Sequence, residues 1–229
     1  MEYVANKEIV ARRIAGFFQT GEVVNLGIGL PTLVSKYIPP EINIVLQSEN
    51  GIMGLGPAPD PGREDRDITN AGGAPASIRG GGCFFDSAVS FGIIRGGHVD
   101  YTVLGVLEVD QQGNLANYKV PGKMVPGMGG AMDLTTGARV VIAATLHFQP
   151  SGASRLKRRC TLPLTALHEV NMVVTDLGVF QVLGGRFHLT ECFAPYTPAW
   201  IRQHTDADIV VKNDCRIVPL DVQPQEVAV

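Results

Sequence analysis

Apolar positions follow a helical period at the start of the chain and then break into short runs separated by glycine and proline. Val10, Ile14, Phe17 and Phe18 fall at i, i+4, i+7 and i+8, while Lys7, Glu8, Arg12 and Arg13 fill much of the opposite side. That spacing predicts an amphipathic helix over residues 5–19, with Gly21 as a left-handed C-cap. Val23–Leu26 reads as a strand, and Pro31 suits the first turn of a helix running to about Tyr37, before Pro39-Pro40 stops it. Ile42–Leu46 reads as a buried strand, after which Gly54-Leu55-Gly56-Pro57 is expected to continue as neither helix nor strand. The proline- and charge-dense segment 57–67 reads as an exposed loop.

Asp86 or Ser87 caps an expected helix through Ile94, ended by Gly96-Gly97. Val103–Val109 and Val140–Leu146 read as strands, with a turn at Gln111–Asn114, a glycine-rich loop over Pro121–Gly130 and a short helix at Ala131–Leu134. From Asn171 the pattern turns to consecutive strands. Met172–Thr175, Val179–Leu183 and Phe187–Thr190 lie close together, with a hairpin turn at Gly184-Gly185. A helix near Pro198–His204 and a strand at Asp208–Val211 follow, and the tail after Asp221 is expected to fray. Strands alternating with helices up to about residue 150 predict an α/β fold. Its sheet is mainly parallel with helices on both faces, and the C-terminal hairpin adds antiparallel strands.

The 229 residues suit one domain, 1–229, and 45% hydrophobic with 18% charged residues is ordinary globular composition. A formal charge of −3 points to neither nucleic acid nor an anionic membrane. Cys83, Cys160, Cys192 and Cys215 are far apart and the five histidines lack ligand spacing, so no metal site is expected. With no secretory leader pattern and no long apolar run, a cytoplasmic protein is expected.

Four stretches carry candidate chemistry. Gly27-Ile28-Gly29-Leu30-Pro31 joins a strand to a helix and resembles an anion-cradling turn, although a plain tight turn has the same composition. The Asn70–Gly73 and Gly80–Gly82 clusters allow close approach of backbone. Glu49 stands where a strand ends and the chain must turn. At that point it reads as a structural carboxylate, a general base of the sugar-phosphate isomerase kind, or a nucleophile forming an acyl intermediate. The last needs glycine amides to stabilise a developing oxyanion.

Leu46-Gln47-Ser48-Glu49-Asn50-Gly51-Ile52-Met53-Gly54 resembles the beta-subunit motif of family I coenzyme A transferases of the 3-oxoacid and acetate–acetoacetate type at all nine positions. The resemblance continues in order through Asn25–Gly29, Asn70–Gly72, Ile94–His98, Val120–Met124, Gly127–Leu134 and Cys160–Thr165. It implies that Glu49 is a nucleophile carrying first an acyl group and then CoA in a ping-pong exchange. It makes the Gly130 amide the candidate oxyanion donor, and Gly27, Gly29, Asn70 and Gly72 candidate contacts to CoA. CoA is then a substrate rather than a bound cofactor. The family's other subunit carries a Gly-Gly-Phe motif, absent here. The implied partner is therefore a CoA-transferase alpha subunit, in a hetero-oligomer with the active site between chains. Tyr118, Leu146, Gly73 and Arg79–Gly82 depart from the acetoacetate-type pattern, leaving the acid open between a 3-oxoacid and a short or branched acid. A catalytically silent, CoA-binding or scaffolding subunit is the alternative.

Overall fold

The computed structural model describes residues 3–122 and 127–219. In chain order the first half contains α1 (Lys7–Ala15), β1 (Val23–Leu26), a 3₁₀ helix (Leu30–Tyr37), β2 (Val45–Ser48), β3 (Ile52–Leu55), β4 (Ile78–Phe84), α2 (Ser87–Arg95), β5 (Tyr101–Gly105), β6 (Glu108–Asp110) and β7 (Leu115–Ala116). The second half contains α3 (Ala131–Gly137), β8 (Val140–Ala144), β9 (Leu156–Lys157), β10 (Met172–Val174), β11 (Gly178–Leu183), β12 (Arg186–Phe193), α4 (Pro198–Gln203) and β13 (Ile209–Val218).

A ten-stranded sheet runs in the order β13-β12-β11-β10-β8-β5-β1-β2-β3-β4. Its centre, β2-β1-β5-β8-β10, is parallel throughout. The expected hairpin of β11 and β12 turns on Gly184 and Gly185, both at positive φ, and adds antiparallel strands at one side. The α/β expectation holds. A small sheet, β7-β6-β9, lies apart from the main one.

Side-chain alternation along the central strands divides the core in two. Val10 and Ile14 of α1 and Val34 of the 3₁₀ helix pack on Val24, Leu46, Val103 and Ile142. Ile94 of α2 and Leu134 of α3 pack on the other face, against Leu104, Val141 and Ala143. Helices thus cover both faces, because consecutive strand residues such as Val103 and Leu104 must each be buried on opposite sides.

Several local expectations change. The first helix stops at Ala15, capped by Gly16 rather than Gly21; Asn6 holds its start by accepting hydrogen bonds from the Glu8 and Ile9 amides. The strand expected at 42–46 lies at 45–48, and the helix after Pro31 is 3₁₀ throughout. The 103–109 run divides into β5 and β6. Gly54-Leu55 does not break the strand pattern, since β3 includes both and pairs antiparallel with β2 and β4. Glycine is required at this crowded spot: a Cβ on Gly54 would lie 2.9 Å from the Gly82 Cα. The Gly80–Gly82 cluster is itself part of β4. Residues 123–126 of the Pro121–Gly130 loop and the expected fraying tail lie outside the described residues.

Candidate active site

Parallel pairing places the C-terminal ends of β1 and β2 side by side, with Asn25 directly across from Gln47. Open α/β sheets present ligand sites at such ends. Val24 and Leu46 face the α1 side, so Asn25 and Gln47 face α2 and α3, and Glu49, two residues on from Gln47, approaches the same side. The chain then turns at Gly51, whose φ of 119° suits glycine and whose added Cβ would strike the Phe85 carbonyl oxygen.

The residues flanking Glu49 are tied the other way. Ser48 Oγ accepts from the Ala71 amide at 3.1 Å, and Asn50 Nδ2 donates to the Thr69 carbonyl at 2.7 Å. These bonds hold the 69–74 loop beside the turn. Glu49 itself is partly buried, and its Oε2 accepts from Asn25 Nδ2 at 3.2 Å. The same Nδ2 donates to Gln47 Oε1 at 2.7 Å, and Gln47 Nε2 donates to Ser90 Oγ on α2 at 3.1 Å.

Gly130 reaches the carboxylate from the α3 side, where it is the buried N-cap residue. A Cβ added there would sit 3.3 Å from Glu49 Cγ and 3.3 Å from two ring carbons of Phe91. The fold therefore brings Glu49 and Gly130 together from 81 positions apart in sequence. On its other side Glu49 lines a cleft of about 690 Å³ together with Gly27, Gly29, Asn70 and Gly72. Five of the six residues singled out from the sequence line this cleft, and the sixth, Gly130, lies against Glu49 from the other side.

Each lining residue also has a local structural task. The Gly27 amide donates to the Val103 carbonyl at 2.8 Å, and a Cβ added to Gly27 would lie 3.0 Å from that same oxygen. Gly29, at φ 86°, precedes the 3₁₀ helix. Asn70 Oδ1 accepts from the Gly72 and Ala74 amides, so its side chain shapes its own turn. Sequence reasoning missed Asn25, Gln47, Ser90 and Phe91 as site residues. The signal for the first two was present: each is the one amide in its four-residue strand, directly after apolar residues.

Other reactive side chains lie elsewhere. Burial, followed by the charges of Asp110 and Glu108, pushes the Cys160 thiol far above its ordinary range, which keeps it protonated and unreactive. His147 is fully buried between the Thr175 and Thr205 hydroxyls, and burial lowers its pKa to about 3. Nearby, Asp176 accepts from the Tyr3 hydroxyl and the Asn6 and His147 amides, pinning the N-terminal segment. Among the described residues no cluster of three His, Cys, Asp or Glu could hold a metal, and no helix is long and apolar enough to cross a membrane.

The family model for coenzyme A transferase matches residues 7–197. The chain belongs to the coenzyme A transferase family. It is similar to the beta subunit of acetate CoA-transferase from Haemophilus influenzae, 56% identical over 209 residues that cover 91% of this chain and 93% of the relative. It is 46% identical over 209 residues to the B-type subunit of the probable succinyl-CoA:3-ketoacid CoA-transferase of Bacillus subtilis, covering 91% of this chain and 96% of the relative. Its fold matches the crystal structure of the acyl-CoA transferase YdiF of Escherichia coli O157:H7 with a TM-score of 0.73 at 22% identity, over 95% of this chain. This chain spans 44% of that CoA-transferase chain.

Proposed function

We propose that this chain is the glutamate-bearing subunit of an enzyme that moves CoA between an acyl-CoA and a free carboxylic acid, with Glu49 as covalent carrier. A Glu49 carboxylate oxygen attacks the thioester carbonyl, the C–S bond breaks, and CoA leaves as thiolate from a mixed glutamyl–acyl anhydride. The thiolate attacks the glutamyl carbonyl, expelling the donor acid as carboxylate and leaving a glutamyl-CoA thioester. The acceptor carboxylate attacks that thioester, CoA leaves again as thiolate, and its attack on the acceptor's acyl carbonyl yields the new acyl-CoA and restores Glu49.

The observation that carries this reading is the contact of Glu49 with Gly130 on one side and the cleft on the other. A carboxylate is a weak nucleophile that needs no partner base, so positioning must supply the acceleration. The Gly130 amide is the proposed donor to the developing oxyanion. Gly27, Gly29, Asn70 and Gly72 are the proposed lining for CoA. Lys36 and Arg79 are the two cations in the cleft lining, and among the described residues neither pairs with a carboxylate. Phosphates of CoA are their proposed counterparts.

The first-choice acid is a 3-oxoacid such as acetoacetate, in line with the 3-ketoacid relative; the acetate relative supports a short-chain acid as second. The proposed partner is a CoA-transferase alpha subunit in a hetero-oligomer, since both relatives carry names that mark them as one subunit of a pair. Ile28, Phe84, Val89 and Met132, 49–70% exposed, lie close in sequence to the site residues and offer apolar surface to a second chain.

Incubation of the chain and its partner with acyl-CoA, followed by peptide mass analysis, should find CoA on Glu49. Glu49→Ala should abolish both adduct and turnover. Full activity in Glu49→Ala overturns the reading.

A further inference from the structure

The series of side chains behind Glu49 does more than fill space. Asn25 is fully buried, Ser90 is fully buried and Gln47 is 2% exposed, in a layer made mostly of apolar groups. Placing three polar side chains there is costly unless they are paired. They are paired in sequence, from Glu49 through Asn25 and Gln47 to Ser90. Two atoms there remain without a partner: Asn25 Oδ1 and the hydroxyl of Thr102, the residue paired with Asn25 on β5. Leaving a buried acceptor unsatisfied is costly.

The surroundings of Asn25 explain why that cost persists. Its Nδ2 faces three oxygens, Gln47 Oε1 at 2.7 Å, Glu49 Oε2 at 3.2 Å and the Gln47 carbonyl at 3.3 Å. Turning the amide over would set Oδ1 against all three. Turning both amides would pair Asn25 with Gln47 Nε2 but would still leave Oδ1 facing the Glu49 carboxylate and the Gln47 carbonyl. The donor end of Asn25 is therefore held toward Glu49. Gln47 must then present its oxygen to Asn25 and its nitrogen to Ser90, which anchors the series on a helix.

We propose that Asn25, Gln47 and Ser90 are positioning residues that lock the Glu49 carboxylate in its attacking orientation, with Ser90 acting through two intervening amides. The proposal rests on Glu49 being the nucleophile. The anchor sits on α2, next to Phe91, which touches the same Gly130 position as Glu49. One helix thus sets both the carboxylate and the wall opposite it.

The test compares Ser90→Ala, Gln47→Met and the double variant in the assembled enzyme, by single-turnover formation of the Glu49–CoA adduct and by kcat and KM. Ser90→Ala should slow adduct formation and kcat about tenfold, a barrier change of about 1.4 kcal/mol, with KM for acyl-CoA within twofold. In the Gln47→Met background the further loss from Ser90→Ala should fall below twofold, because the link through which it acts is already gone. An adduct rate in Ser90→Ala equal to the parent's, or a fall in melting temperature alone, overturns the proposal, as does full additivity of the two changes. If Gln47→Met does not fold, Ser90→Ala alone decides through the adduct rate. A parent enzyme that forms no adduct on Glu49 instead overturns the nucleophile itself, so the two failures are separable.

Discussion

Replacing Gly130 with alanine probes whether this glycine faces the Glu49 carboxylate and whether that carboxylate reacts. Its φ of −82° suits any L-residue, so the change introduces no backbone strain. The new Cβ would lie 3.3 Å from Glu49 Cγ and from Phe91 Cε1 and Cζ. Carbon pairs prefer about 3.5–4.0 Å, so the overlap is a few tenths of an ångström, shared between a ring and the glutamate side chain. Overpacking costs about 1–3 kcal/mol, and removing glycine's freedom in the unfolded chain returns about 0.4–1. The net, about 1 kcal/mol, should lower the melting temperature by about 3 °C in a domain of this size.

Catalysis should suffer as well. A misplacement of about 1 Å costs about a hundredfold, so a shift of about 0.2–0.4 Å should lower kcat by about three- to sixfold. Measuring kcat, KM and the Glu49 adduct rate beside a thermal melt separates the two effects. In the Phe91→Leu background, where the ring contact is relieved, the melting loss should shrink while the loss in kcat persists. A Gly130→Ala enzyme with kcat within twofold of the parent refutes the placement of Glu49 against Gly130.

Lys36→Ala and Arg79→Ala should each raise KM for acyl-CoA several-fold, more at low salt than at high salt, with KM for the acid unchanged; a change in KM for the acid alone refutes their assignment to CoA. Gly51→Ala forces a Cβ into the Phe85 carbonyl at a φ of 119°, so it should destabilise the fold by roughly 3 kcal/mol or more, read by urea unfolding. Its failure to do so would mean the turn after Glu49 is not built as described. His147 has a reference pKa of 6.5 lowered to about 3 by burial, so the unfolded chain takes up its proton first. Its stabilising contribution is complete above pH 6.5 and is lost as pH falls toward 3, by up to about 1.4 kcal/mol per pH unit. Asp176, whose carboxyl burial pushes upward, acts in the opposite sense. Urea unfolding of His147→Gln between pH 7 and 5 should show a flatter dependence than the parent; an identical slope refutes the assignment.

Periodicity alone identified most central elements, because a strand buried on both faces must be a short apolar run and an amphipathic helix must repeat its apolar side. β8, β10, α2 and the β11–β12 hairpin emerged on that basis, with ends shifted by a few residues. β3 and β4 did not. Their glycines suppress the strand pattern, and only the close approach of the two backbones explains why glycine is there. The Glu49 stretch was legible through its resemblance to the coenzyme A transferase motif; its residues alone left the carboxylate open between a structural, a basic and a nucleophilic role.

The linear order of residues determined the chemistry on offer: a carboxylate at a strand end and glycine loops able to approach it. Tertiary structure decided which of these meet. Parallel pairing sets Asn25 across from Gln47, and packing of α2 and α3 on that face brings Ser90, Phe91 and Gly130 around Glu49. Such contacts depend on crossovers of tens of residues, and local pattern carries no information about where a crossover returns.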